Sequence, residues 1–305
     1  MSNAPGPVHH VDFGGTGRPV LVLVHGLGGS HLNWELLAPL LTADAHVLAL
    51  DLPGFGMSAP LGRPSTVRRN VAVLARFVRE HGDPPVVLVG NSMGGLISML
   101  VAARMPGLVQ GLVLLDPALP APLRALRSPV AVPMMAAYAV PGVGERLRKN
   151  LRRRTGARAT LEATLRLCGV DPAALPDDLV RRSVALVERQ SDVAGMDRAF
   201  LSASRSLAWT LARRATYEAA MRSVTAPVLL LHGDQDRLVP VEAARAVAGR
   251  HPGWRYVELE GIGHVPQLQV PEQVAGHLLA WLRGTDDPLG QGPTMPAHPA
   301  RRARS

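Results

Sequence analysis

Residues 85–95 read Pro85-Val86-Val87-Leu88-Val89-Gly90-Asn91-Ser92-Met93-Gly94-Gly95. Pro85 to Val89 is continuous, apolar and β-branched, the composition of a strand buried on both faces of a parallel sheet. Met93 to Arg104 follows as an apolar helix. Between them, Gly90-Asn91-Ser92-Met93-Gly94 is a G-x-S-x-G pentapeptide. Strand before and helix after make it a nucleophile elbow, a tight, strained turn that lifts a serine above the sheet. The glycines stand where larger side chains would clash, and the helix N-terminus favours negative charge developing at the serine. In a chain with 30 glycines the pentapeptide alone can arise by chance. Its setting makes the functional reading the better one.

The same alternation extends in both directions. Pro19 to His25, His46 to Leu50 and Gly111 to Leu115 read as further buried strands. Leu32 to Leu41 and Thr66 to Arg79 read as helices, the second with Val67, Val71, Leu74 and Val78 on one face. Short connections between such elements predict an α/β fold, a doubly wound, mostly parallel sheet with helices on both faces. From Pro117 to about Val224 the rhythm stops, and an Ala/Leu/Arg-rich segment with helical spacing predicts an inserted helical unit. Strands resume at Pro227–His232 and Trp254–Leu259, with helices at Val241–Ala248 and from Pro271, a good first-turn residue, to Leu282. The expected organisation is a core of residues 8–116 and 225–283, a helical insertion at 117–224 and a disordered basic tail at 284–305.

Composition narrows the classes. The 305 residues are 47% hydrophobic and 19% charged, which excludes an intrinsically disordered chain. Cys168 is the single cysteine, so neither an intrachain disulfide nor a cysteine-built metal site can form. The net charge is +9, and only Lys149 among the 33 basic residues is a lysine. Such an arginine bias reads either as genome base composition or as a basic surface for anionic partners. Met1 to Pro7 lacks the charged and apolar regions of a secretory signal. Ser128 to Gly144, with three prolines, is too short to span a bilayer. The expectation is a soluble, cytoplasmic protein.

An activated serine needs an oxyanion site, a base and an acid that orients the base. His25-Gly26-Leu27-Gly28-Gly29 follows the first strong strand, and the amides of Leu27 and Met93 are the expected oxyanion donors. A phosphate-binding reading of this loop fails, because the lysine of a P-loop and the last glycine of a dinucleotide fingerprint are both missing. Gly233-Asp234-Gln235-Asp236-Arg237-Leu238-Val239-Pro240 and Gly261-Ile262-Gly263-His264 each follow a strand. Both therefore lie at the strand ends where open α/β sheets place their sites. A lone loop histidine among eleven is ordinarily a surface residue; its place in the chain order makes His264 the candidate base.

Together these segments resemble the α/β-hydrolase fold family over His10 to about Leu282, interrupted by the insertion. The resemblance lies in the H-G-x-G loop, Asp51-Leu52-Pro53-Gly54-Phe55-Gly56-Met57-Ser58, the G-N-S-M-G-G elbow, the G-x-x-D-x-x-V-P loop and the G-H loop. It implies a triad of Ser92, Asp236 and His264, with Asp234 as a loop hydrogen-bonding residue and Asp116 as an alternative acid. It also implies that the insertion is a cap over the nucleophile. No cofactor and no metal is expected. Similar epoxide hydrolases and haloalkane dehalogenases use aspartate at the elbow, so the serine points away from them. The implied reaction is hydrolysis of a carboxylic ester through an acyl-enzyme. Carbon–carbon bond hydrolysis of ring-cleavage products, acyl transfer and perhydrolysis on the same groups stay open.

The insertion bears on partners. Met134, Met135 and Tyr138 belong to an apolar run that reads either as cap packing or as the wall of a pocket for an apolar acyl substrate. Glu145 to Arg154 is strongly basic, which suits a solvated helix face or contact with an anionic membrane surface. A non-catalytic protein that binds lipid or nucleic acid is the competing class. The short basic tail lacks the interleaved aromatics of single-strand binding, so no nucleic acid partner is expected. The oligomeric state is left open.

Overall fold

The sequence predicts six strands, and all six are present in the computed structural model, which describes residues 8–15, 17–60, 62–121, 133, 136–138 and 140–284. They are β2 (Val20–Val24), β3 (His46–Leu50), β4 (Val86–Asn91), β5 (Val109–Leu115), β6 (Val228–Gly233) and β7 (Arg255–Leu259). A seventh, β1 (His10–Gly14), pairs antiparallel with β3 at one edge. The sheet order is β1-β3-β2-β4-β5-β6-β7, parallel from β3 onward. From β2 the chain first builds outward to β3 and then crosses back to β4. The order therefore reverses between β2 and β4, and open α/β sheets form their ligand crevice at such a point.

The core follows the two-residue period of the strands. Val20, Val22 and Val24 of β2 face one apolar layer, and Leu21 and Leu23 face the other. β4, β5 and β6 alternate in the same way. The first layer is closed by α1 (Val67–His81) and by α2 (Met93–Arg104), whose residues Met93 to Ala102 are all buried. The second is closed by Trp34, Leu37, Ala38 and Leu41 and by a C-terminal helix described below.

One expectation fails. Leu32–Leu41 is not a single helix but two 3₁₀ turns, His31–Trp34 and Ala38–Leu41. A capping box closes the first turn: the Ser30 side chain accepts from the Leu32 amide, and Asn33 Oδ1 accepts from the Ser30 amide at 2.8 Å. Bonds then run i to i+3 through Leu37 and Leu40, and Pro39 has no amide with which to extend an α-helix.

Between β5 and β6 the described residues carry helices and no strand: α3 (Val143–Arg154), α4 (Ala157–Leu167), α5 (Asp177–Asp192), α6 (Met196–Ala212) and α7 (Arg214–Arg222). α6 is tied to the core by its hydroxyls, since Ser202 and Ser206 accept from the amides of Ser65 and Val67 at the start of α1. Tyr217 and Met221 of α7 are buried in the main core, and Tyr217 Oη donates to the Ala118 carbonyl at 3.1 Å. By packing, α7 belongs with the sheet, although the strand–helix rhythm assigns it to the insertion. α8 (Val241–Arg250), α9 (Pro266–Gln269) and α10 (Pro271–Leu282) complete the fold, and α10 closes the second layer. Among the described residues no helix is long and apolar enough to cross a membrane. Met134, Met135 and the tail beyond 284 lie outside the described residues.

The closest backbone approach in the core is at Gly94, where a Cβ would be driven into the carbonyl groups of Val24 and His25. Gly94→Ala is therefore expected to cost about 3 kcal/mol or more in denaturant unfolding, from overpacking against rigid backbone. Gly107→Ala, which meets nothing within 4 Å, is the control and should stay within about 0.5 kcal/mol of wild type.

Candidate active site

Ser92 sits between β4 and α2 with φ 54° and ψ −120°, a left-handed conformation rarely adopted by non-glycine residues. Its backbone is clamped on both sides: its amide donates to the Leu115 carbonyl (3.1 Å) and its carbonyl accepts from Ala118 (3.0 Å). The turn closes only because Gly90 has no Cβ, which would meet the backbone of Gly94 and Gly95 at 2.6 Å. The Ser92 side chain makes no bond to cap its own helix, which leaves the hydroxyl for other chemistry.

The Gly26–Gly29 loop lies against this turn. A Cβ on Gly26 would stand 3.0 Å from Ser92 Cβ. The loop is a tight turn closed by Gly29 N–H to the Gly26 carbonyl (3.1 Å), with Gly28 at φ +80°. The Leu27 amide takes no part in that closing bond. Met93 is the first residue of α2, so its amide is one of the four that have no partner within the helix.

The chain just after the loop is held by Asp51, which is fully buried and whose Oδ1 accepts from the His31 amide at 2.6 Å. Its Oδ2 accepts from Nδ1 of His9 and His31 (2.9 Å each) and from the Met57 amide (2.8 Å). His9, His31 and Asp51 are one of two histidine–carboxylate groups among the described residues with ligand-type atoms within 4.8 Å; the other is Asp116, Asp236 and His264. In the first group both Asp51 oxygens already hold protein hydrogen bonds; in the second both Asp236 oxygens and Asp116 Oδ1 do, while Asp116 Oδ2 is buried without a partner.

His264 and Asp236 are both buried and meet at 2.7 Å, Nδ1 to Oδ2. Asp236 Oδ1 accepts from the amides of Leu238 (2.7 Å) and Val239 (3.0 Å). Burial alone would raise its pKa. The hydrogen bonds from the His264 imidazole and the Val239 amide outweigh burial and hold Asp236 below the usual carboxylate range. An ionised carboxylate only accepts, so Nδ1 of His264 carries the proton and Nε2 is left basic. Asp234, by contrast, accepts from the Gly261 amide (2.7 Å) and ties its loop.

Asp116, at the end of β5 with φ 44°, is the second carboxyl here. Burial and the charge of Asp236 push its pKa well above the usual value, although Oδ1 accepts from the Gly233 amide at 2.9 Å. Two carboxyls this close in a dry site do not both ionise. Asp236 is the charged one and Asp116 the neutral one. His232, fully buried, is kept neutral by desolvation and donates Nε2–H to the Val239 carbonyl (2.9 Å).

Three contributors were not singled out from the sequence. Asn91 donates to the carbonyls of Leu115 (3.0 Å) and His264 (2.9 Å), fixing the histidine loop to the residue before Ser92. Its place inside the pentapeptide was the available signal. Cys168, between α4 and α5, accepts the His264 amide at 2.8 Å through its carbonyl. Its thiol is pushed up to about 12 by burial and by Asp236 and Asp116, so it is inert as a thiolate. Phe200 of α6 lies over the glycine loop, 3.2 Å from where a Gly28 Cβ would be. Tyr138 packs edge-on against Phe200 (5.4 Å between centroids), and the Arg148 guanidinium lies 4.0 Å above the same ring.

A family model described as the alpha/beta hydrolase fold matches residues 19–271, and the chain belongs to that family. It is 33% identical over 283 residues to a pimeloyl-[acyl-carrier protein] methyl ester esterase of Stenotrophomonas maltophilia, covering 91% of this chain and 98% of that protein. It is 32% identical over 276 residues to the dihydrolipoyllysine-residue acetyltransferase component of an acetoin cleaving system of Pseudomonas putida. That match takes in 89% of this chain but only 65% of the longer relative. Among solved structures, a membrane phospholipase A described as a bacterial virulence factor superimposes with a TM-score of 0.65 at 30% identity, over 91% of this chain and 82% of that one.

The Asp116–Asp236 pair sets a pH signature. A carboxyl whose folded pKa is raised contributes fully below its unfolded pKa, and that contribution is lost as pH rises toward the folded value. Asp116→Asn keeps the acceptor for Gly233 and removes the titration. Its stability relative to wild type should therefore climb as pH rises above the ordinary aspartate value of about 3.9, by up to about 1.4 kcal/mol per pH unit, until Asp116 ionises in the fold. Thermal unfolding across this range checks it; a difference flat in pH would mean that Asp116 is ionised in the fold.

Proposed function

We propose that the protein hydrolyses carboxylic esters through a Ser92–His264–Asp236 triad. The observation that carries this reading is the 2.7 Å contact of His264 Nδ1 with an ionised Asp236, on a histidine loop bonded through Asn91 to the turn that strains Ser92. In this reading Nε2 of His264 takes the Ser92 proton as the hydroxyl oxygen attacks the acyl carbon. The amides of Leu27 and Met93 receive the negative charge that develops on the carbonyl oxygen. His264 then returns the proton to the leaving alkoxide, and the acyl group stays on Ser92. Water activated by the same imidazole releases the acid. Asp236 holds the tautomer and stabilises the imidazolium, and it keeps its charge throughout. The reaction needs neither a cofactor nor a metal.

The substrate is an acyl ester with an apolar chain. The support is the Phe200–Tyr138 wall set over the glycine loop, together with the similarity to an esterase of acyl-carrier-bound methyl esters. On the same reading, residues 117–213 act as a cap that selects the acyl chain while α7 stays with the core. A cytoplasmic enzyme acting on small acyl substrates fits this reading.

Ser92→Ala should abolish both turnover of p-nitrophenyl esters and labelling by a fluorophosphonate, with the fold intact. Asp236→Asn should lower turnover by about 10⁴, since the wrong tautomer is then favoured. Wild-type-like turnover by Ser92→Ala would end the proposal. A larger loss from Asp116→Asn than from Asp236→Asn would move the acid to β5. Phe200→Ala should raise KM for long acyl chains by about tenfold and leave acetyl ester turnover nearly unchanged. An unchanged chain-length profile would mean that Phe200 only packs the cap.

A further inference from the structure

Five large apolar side chains are exposed among the described residues, and four of them, Val140, Val143, Leu147 and Trp209, lie on the outer side of the insertion. Their exposures of 50%, 44%, 40% and 66% are high for residues of this type. Helix geometry explains how they meet. On α3, Glu145 and Arg148 are used against α6, where Arg205 pairs with Glu145 and Arg148 with Asp197. That leaves Val143 and Leu147, four residues apart, on the stripe continued by exposed Asn150 and Arg154. Arg205 also reaches the carbonyls of Tyr138 (3.2 Å) and Val140 (3.4 Å). Trp209 is one turn beyond Arg205 on α6, and Arg213, one turn further, lies 5.8 Å over its ring. Trp209 is nine residues from Phe200, half a revolution around the helix. α6 thus turns Phe200 toward the glycine loop and Trp209 away from it.

The charge around this face is predominantly basic. Val143–Arg154 contains Arg146, Arg148, Lys149, Arg152, Arg153 and Arg154 against the single acid Glu145, in a chain of net charge +9. Arg146, Arg154, Arg213 and Arg214 are exposed beside the apolar stripe. We infer that this face docks on an anionic lipid bilayer, with Trp209, Leu147, Val143 and Val140 entering the headgroup boundary and the flanking arginines on lipid phosphates. A tryptophan and aliphatic side chains with arginines at the same level suit an interface that is apolar below and anionic above. A second copy of the chain is the poorer occupant, because it would bring an equally basic helix against this one. Docking needs no chemistry at Ser92 and stands apart from the esterase reading.

The test is co-sedimentation of the full chain with vesicles. One set is phosphatidylcholine with phosphatidylglycerol in a two-to-one mixture, the other phosphatidylcholine alone, each at low and high salt. The wild type and Ser92→Ala should sediment equally with the anionic vesicles at low salt. Binding should weaken as salt rises and be far lower on phosphatidylcholine alone. The double variant Leu147→Ser/Trp209→Ser should lower partitioning about tenfold or more, and so should Arg146→Gln/Arg154→Gln/Arg213→Gln. Both variants should keep the wild-type far-ultraviolet circular dichroism and melting temperature, which shows that they fold. No sedimentation of the wild type at low salt would overturn the proposal, as would wild-type binding by the Leu147→Ser/Trp209→Ser variant. A wild-type dimer in sedimentation velocity that this variant dissolves would also overturn it, by making the face an interface between copies.

Discussion

The backbone of Ser92 is held in a conformation that it would leave if released, and much of the molecule serves to hold it. A positive φ at a non-glycine residue costs of the order of 1–3 kcal/mol and persists only where the surroundings over-determine it. Here they do. β4 enters from one side and α2 leaves on the other, both almost wholly buried. Hydrogen bonds to Leu115 and Ala118 fix the turn to the next strand. Gly90, Gly94 and Gly95 let α2 approach the backbone of β2 and β4 more closely than any Cβ would permit. The same approach brings the Gly26–Gly29 loop against Ser92. Strain at one residue and the position of the glycine loop are therefore two results of one packing constraint.

The electrostatics of the site rest on a division of labour between two buried carboxyls. Asp236 has two backbone amides and an imidazole to stabilise its charge, while Asp116 has one amide and a charged neighbour. Hydrogen bonds to the ionised form decide which of the two keeps the proton. A neutral Asp116 leaves Asp236 as the single negative charge next to His264. It also leaves the pocket with an acid whose ionisation would place a second charge in the same dry volume. The neutral His232 adds a wall without adding a charge.

How much of this is legible in the sequence depends on how local each signal is. The five inner strands, β2 to β6, announce themselves because burial on both faces demands unbroken apolar runs. β1 does not, since HVDFG is half-buried at an edge and needs no such run. Residues 31–41 carry helix-like spacing, yet the backbone there is decided by the Ser30 capping box and by Pro39. Ser92, Asp236 and His264 stand out because each sits in a short motif directly after a strand. Phe200 and Cys168 act through contacts with Gly28 and His264, residues far away in the chain, and no local pattern marks them. Tyr217 is hidden for the same reason: its place in the core is fixed by Ala118, on the far side of the insertion.

The bond from His264 to the Cys168 carbonyl has a further meaning. It is not isolated. Gln269 accepts from the Gly263 amide and donates to the Gly169 carbonyl, and a Cβ on Gly169 would stand only 3.1 Å from the Gly263 Cα. Val265 and Leu268 share an apolar cluster with Leu165, Val170 and Leu179. The insertion is thus stitched to the histidine loop at one point, while Phe200 meets the glycine loop from another side. Transplanting a foreign segment between β5 and β6 would remove the Cys168 and Gly169 carbonyls that hold the histidine loop. The insertion and the histidine loop therefore share a seam, so an exchange of the insertion has to carry residues 165–170 with it.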